Sequence, residues 1–184
     1  KTFENREIDV MLDLPVPEAV GGAGRRGARL GPHGNRAARK VKGLEASLMD
    51  NHKMLIPAFE RADGRSYEIA VAGTVALLIA KLHKIADREG EINRLQDKDA
   101  LDVLRLLRSL EANSSAKVFH KAMADKIAGN VSREAVVLLE QLFGKPDSAG
   151  SRMAARAAEP LEAADTIAAS CAVLTQDLLK ALRG

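Results

Sequence analysis

The chain has 184 residues, a formal net charge of +3, 46% hydrophobic and 29% charged residues, 3% aromatics, no Trp and one cysteine. Such a chain is long enough for one domain with a real core; it cannot form an intrachain disulfide or a Cys-rich zinc site, and its charge alone makes no case for nucleic-acid binding. No window reaches the roughly 18 apolar residues of a membrane span and no signal peptide is visible, so the expectation is a cytoplasmic protein whose core is built mostly from Leu, Ile, Val and Ala.

The first residue is Lys, and the pattern of an ordered element begins almost at once, so the expectation is the remainder of a longer protein. In "REIDVMLDL" (Arg6–Leu14), Ile8, Val10, Leu12 and Leu14 alternate with Glu7, Asp9, Met11 and Asp13. Period two predicts a half-buried strand, ended by "PVP" at Pro15–Pro17. Gly21–Gly43 holds seven Gly and seven Arg or Lys with no acid. Two descriptions suit it: a flexible loop, or a phosphate-facing loop in which Gly lets backbone amides approach an anion and Arg supplies charge. It contains no Walker motif. Leu44–Gly73 predicts two or three short strands around "ADGR" (Ala62–Arg65), where Asp63-Gly64 signals a turn.

After Gly73 the period changes. Val75, Leu78, Ile79, Leu82, Ile85 and Ala86 lie in one arc at about 100° per residue, predicting a helix over 74–88 with Thr74 as N-cap. A polar connection at 89–96 leads to a second helix over 97–110, with Ala100, Val103, Leu104 and Leu107 as its stripe. Asp97 and Asp99 near its start suit the positive end of the helix dipole. Further helices are expected near 116–128, 132–143, 151–158 and 161–182, with Ser132 as an N-cap. Cys171 falls in an apolar helical stretch. His33, His52, His83 and His120 show no metal-ligand spacing and read as surface or rim residues.

Lys81, Lys84 and Arg88 are spaced i, i+3, i+7 on one edge of the first helix; Asp99 and Asp102 share a face of the second. Asp99 stands at the margin of the apolar stripe, where a carboxylate needs a nearby cation or metal. One account makes these residues a helix–helix salt-bridge set. The other is phosphoryl chemistry, which needs cations to neutralise a triphosphate and carboxylates to hold a metal or accept a proton, with Asp9 on the first strand as a further carboxylate.

"VAGTVALLIAKLHKIADR" (Val71–Arg88) followed by "KDALDVLRLLR" (Lys98–Arg108) resembles the C-terminal motif of the AbiEii/AbiGii-type nucleotidyltransferases, members of the DNA polymerase β-like nucleotidyltransferase superfamily. That motif is a Lys-bearing helix ending in Arg, a connection, and a Lys/Arg-Asp-x-x-Asp helix, matched here by Lys81, Arg88, Lys98, Asp99 and Asp102. "IDVML" (Ile8–Leu12) is similar to the strand carrying the superfamily's third carboxylate, which makes Asp9 a metal ligand or general base by resemblance. The resemblance spans Ile8 to Leu110, and beyond that only helical character matches.

The resemblance implies an α+β fold: a partial nucleotidyltransferase-like mixed sheet packed by helices over 1–110, followed by a helical region over 111–184. It implies Asp9, Lys81, Asp99 and Asp102 as catalytic residues, Lys84, Arg88 and Lys98 as nucleotide-binding residues, and Mg²⁺ as cofactor with Asp9 as its ligand. It also implies transfer of NMP from an NTP to an RNA or protein acceptor, and an antitoxin protein as partner in toxin members. The family's Gly-Ser followed by Asp-x-Asp is absent from these residues, so this chain alone is expected to be inactive. The alternative is a non-catalytic module of the same fold that binds a partner or nucleotide. A helical scaffold of unrelated origin would instead show Asp99 and Asp102 in solvent-exposed ion pairs.

Overall fold

The computed structural model describes residues 2–4, 9–11, 14–22, 27–28, 38–88, 97–159 and 161–184. The fold is α+β, with six α-helices and three small sheets among the described residues. Strand β1 (Thr2–Glu4) pairs antiparallel with β2 (Asp9–Met11), Glu4 opposite Asp9. The rest of the strand expected over Arg6–Leu14, apart from Leu14, lies outside the described residues.

Pro15–Pro17 does not simply end a strand, as expected. It forms one, β3, running parallel to β5 (Ala38–Val41), which pairs antiparallel on its other side with β4 (Gly27–Ala28). Proline lacks the N–H for a ladder on both sides, and β3 sits at the sheet's edge where only one side needs pairing. Two pieces of the Gly- and Arg-rich stretch are therefore strands, while 23–26 and 29–37 lie outside the described residues.

A 3-10 turn at Glu45–Leu48 leads into a hairpin of β6 (Asn51–Pro57) and β7 (Ser66–Ala72). Its connection is longer than a tight turn. Ala58 N donates to Arg65 O, and the Asp63 carboxylate accepts from the backbone and guanidinium of Arg65. Directly opposed residues share a face, so Met54, Ile56, Tyr67 and Ile69 form one apolar side, all exposed.

The core is helical. Helices α1 (Thr74–Ala86), α2 (Asp97–Ser109), α3 (Ala112–Ala124), α4 (Gly129–Phe143), α5 (Ala149–Ala158) and α6 (Ala164–Arg183) enclose one apolar cluster running from Val75 to Leu179. Leu78, Ile79, Leu82, Leu104, Phe119, Leu139, Phe143, Ile167 and Leu179 are fully buried in it. The cluster is shared across residue 110, and ion pairs Asp97–Arg156 (2.8 Å) and Arg108–Glu162 (2.9 Å) tie α2 to the C-terminal helices.

Helices α1 and α2 start at Thr74 and Asp97 as expected, but the cap of α1 and the starts of α3 and α4 differ. Thr74 is the first helical residue of α1 rather than its cap. Gly73 is the N-cap, and Asp50, 26 positions before Ala76, accepts from Ala76 N at 2.8 Å. A Cβ on Gly73 would fall 2.1 Å from the Asp50 carboxylate, so this close approach requires glycine. Helix α3 begins at Ala112, four residues early, because Glu111 accepts from Asn113 N and Ser114 N. Helix α4 begins at Gly129, with Asp125 accepting from Ile127 N and Ala128 N. Ser132 is thus inside the helix, buried, its hydroxyl without a hydrogen-bond partner among the described residues.

His83 also departs from expectation. It is 4% exposed, inside the α1 arc rather than on the rim. Its Nε2 lies 2.9 Å from Val131 O, and since a carbonyl only accepts, Nε2 carries the proton. Gly43, at φ +93°, packs so closely on the ring that a Cβ there would fall 2.8 Å from it. His52 and His120 are exposed as expected; His33 lies outside the described residues.

Two outcomes test this packing. Asp50→Ala should lower stability by about 1 kcal/mol in urea unfolding, the usual size of a lost N-cap acceptor, with Asp50→Asn retaining most of it; an unshifted midpoint for Asp50→Ala would show that the distant cap carries no weight. Burial pushes the Cys171 thiol up to about 11. It should therefore be inert to a colorimetric disulfide reagent at pH 8 in the native protein and react fully in denaturant.

Candidate functional site

The site grows from the way α1 and α2 lie side by side. The apolar arc of α1 turns Val75, Leu78, Ile79, Leu82 and Ile85 into the core, leaving Leu77, Lys81, Lys84 and Arg88 along the opposite edge. The stripe of α2 buries Ala100, Val103, Leu104 and Leu107 and takes Asp99 in with them. Partners on α2 move from Asp102 back to Asp99 as α1 advances from Lys81 to Arg88, so the two helices run antiparallel.

Asp99 is 2% exposed and is held by three cations. Its Oδ1 accepts from Lys81 Nζ at 2.9 Å and Lys84 Nζ at 2.7 Å, and its Oδ2 from Arg88 Nη1 at 3.1 Å. Asp102, half-buried, takes Lys81 Nζ at 2.7 Å and Arg105 Nη1 at 3.0 Å. Burial drives the Asp99 carboxyl up, but the ammonium groups of Lys81 and Lys84 outweigh it and hold the carboxyl below its ordinary value. For Asp102 the Lys81 ammonium is the largest influence and again lowers it. Lys81 is pulled down by burial, yet its bonds to Asp102 and Asp99 leave it above its ordinary value.

The structure thus brings together Lys81, Lys84, Arg88, Asp99 and Asp102, and adds Arg105. Arg105 is three residues from Asp102, a helical spacing visible in the sequence, but an exposed Arg is too common for that spacing to single it out. Lys98 is exposed on α2 and has no ion-pair partner among the described residues. Asp9 lies in β2 opposite Glu4; its side chain is outside the described residues.

Chemically the cluster is a donor surface. Four cations surround two carboxylates, so the balance is positive. Asp99 has both oxygens occupied, whereas Lys84 and Arg88 have more N–H groups than Asp99 accepts from. Such a surface suits an anion with several oxygens. It does not suit a divalent cation: among the described residues no group of three His, Cys, Asp or Glu could hold one, and both oxygens of Asp99 are already engaged by nitrogen donors. Two open grooves occur elsewhere, beside α6 at Arg152, Arg156 and Asp165 and at Arg108, Thr166 and Val173; neither is lined by the cluster. No helix of the described residues is long and apolar enough to cross a membrane.

Compared with known protein families, characterised proteins and solved structures, the chain matches none.

The ion-pair set predicts a pH dependence. A carboxyl held below its ordinary pKa of 3.8 adds stability at higher pH, and that stability is lost as pH falls through its folded-state value. Asp99→Asn should cost about 2 kcal/mol at pH 7, less than the roughly 3–5 kcal/mol of a fully buried pair because its cations are partly solvated. The gap to the unaltered protein should narrow by pH 3 in paired urea titrations. A gap of the same size at both pH values would mean that the charge of Asp99 is not what holds the cluster.

Proposed function

We propose that the complete protein is a nucleotidyltransferase, moving NMP from an NTP to an RNA or protein acceptor, and that α1 and α2 supply the side of the site that holds the nucleotide's phosphates. One observation carries this: Lys81, Arg88, Asp99 and Asp102, four of the residues that the resemblance marks, come together with Lys84 as a preorganised, donor-rich cluster around a buried carboxylate.

In such a transfer an acceptor oxygen attacks the α-phosphorus, the bond from that phosphorus to the bridging oxygen breaks, and pyrophosphate leaves with the added charge. The protein's task is to position the chain of phosphates and neutralise what develops on the leaving oxygen. Lys81, fixed by two carboxylates, is a positioned cation of that kind; Lys84 and Arg88 offer further donors to the terminal phosphates. Asp102 and Asp99 hold these cations in place. The resemblance adds Mg²⁺ and Asp9 to the reaction, Lys98 to the nucleotide contacts, and an antitoxin protein as partner.

A non-catalytic binding module is the second account, favoured by the three cations that engage both oxygens of Asp99 in place of a metal or a proton. The two differ in turnover. Incubating the complete protein with α-labelled NTPs, Mg²⁺ and either an RNA pool or a protein extract should move label onto an acceptor. Asp9→Ala and Lys81→Ala should each lower the rate about 100-fold, the usual loss when a group stabilising the transition state is removed. Nucleotide binding with no transfer to either acceptor class would establish the module instead. Transfer that proceeds equally well in both variants would overturn the assignment of these residues.

A further inference from the structure

We propose that the exposed edge of α1 fixes the direction in which the nucleotide lies, with its phosphates over Lys84 and Arg88 and its sugar and base over Leu77. This rests on the phosphate-binding role given above and adds to it a residue and an orientation.

Leu77 precedes Lys81 by four residues, Lys84 by seven and Arg88 by eleven. Those offsets place all four on one helix edge, a ridge spanning about 16 Å at 1.5 Å per residue. The ridge has two chemically different ends. Its C-terminal end carries the cations, with side-chain exposures of 27% for Lys81, 36% for Lys84 and 23% for Arg88. Its N-terminal end carries Leu77, 43% exposed although α1 otherwise buries its large apolar residues.

A nucleoside triphosphate has the same two-ended character and a comparable extended length. Laid with phosphates over Lys84 and Arg88, the charged half lies over cations with N–H groups to spare and the uncharged half covers an exposed apolar side chain. Laid in reverse, the phosphates meet Leu77, which offers no donor, and from the antiparallel α2 only Arg105, already bonded to Asp102, while the base strips water from ammonium groups without replacing their hydrogen bonds. Lys81 stands between the ends, fixed by Asp99 and Asp102, level with the phosphate nearest the sugar. Leu77 therefore distinguishes a nucleotide from a bare polyphosphate, which the cations alone do not.

Calorimetric titration of the chain with ATP and, separately, with inorganic tripolyphosphate tests the orientation. Both should bind. Lys84→Ala should weaken both alike. Leu77→Ser should weaken ATP about tenfold, the value of one half-exposed Leu becoming covered, and leave tripolyphosphate within about twofold. Leu77→Met, which keeps the apolar surface, should bind ATP as the unaltered chain does. If neither ligand binds the unaltered chain, the phosphate site itself is overturned and the orientation with it. If both bind but Leu77→Ser weakens neither, or weakens both equally, the orientation alone is overturned and the phosphate site stands.

Discussion

The carboxylate of Asp99 sets the terms for the rest of the structure. It sits at 2% exposure among Ala100, Val103 and Leu104, where an uncompensated charge would cost several kcal/mol. The compensation comes from α1, whose Lys81, Lys84 and Arg88 all reach it. Three donors from successive turns of one helix converge on one side chain of another. That geometry admits only a narrow range of registers between α1 and α2, and apolar packing alone would not select one so sharply. Helix α2 then presents its other side to α5 and α6, so the helical core is indexed to this polar contact.

The same contact determines what the surface can recognise. Because Asp99 takes one donor from each of its three cations, N–H groups outnumber acceptors in this cluster among the described residues. Asp102 and Arg105 extend the pattern along α2. A surface of that kind selects anions by charge and by donor placement, and it is preorganised because the cations are already immobilised. The entropy of ordering long Lys and Arg side chains is largely lost on folding, before any ligand arrives.

Much of this was legible in the sequence, and the parts that were not share a cause. The helices could be read because their apolar residues recur at helical spacing, and Asp99 was recognisable as a carboxylate at a stripe's margin. The pairing of acids with Lys81, Lys84 and Arg88 followed from i, i+3 and i+7 offsets. Helix starts failed where the acceptor lies far along the chain, as Asp50 does for α1, or where it is not a usual capping residue, as Glu111 is for α3. His83, a polar residue within an apolar arc, reads as a surface residue, but Val131 O gives its ring a partner inside. Pro15–Pro17 reads as a terminator because proline lacks an N–H, yet at a sheet edge that N–H is not needed for pairing. In each case local pattern was overridden by a contact across distant sequence.

The division of labour between sheet and helix follows from where apolar surface is buried. The β6–β7 hairpin exposes Met54, Ile56, Tyr67 and Ile69 and adds little to the core, whereas Val75 to Leu179 enclose it. A two-stranded hairpin has little stability of its own, so stability here resides in the helices. A charged site mounted on α1 and α2 therefore stands on the well-packed helical core. Preorganised electrostatics require that placement, since a cation held on a mobile strand would pay its ordering cost at each binding event and stabilise a developing charge less. Burying Asp99 is thus the condition that lets Lys81, Lys84 and Arg88 act as fixed charges rather than solvated ones.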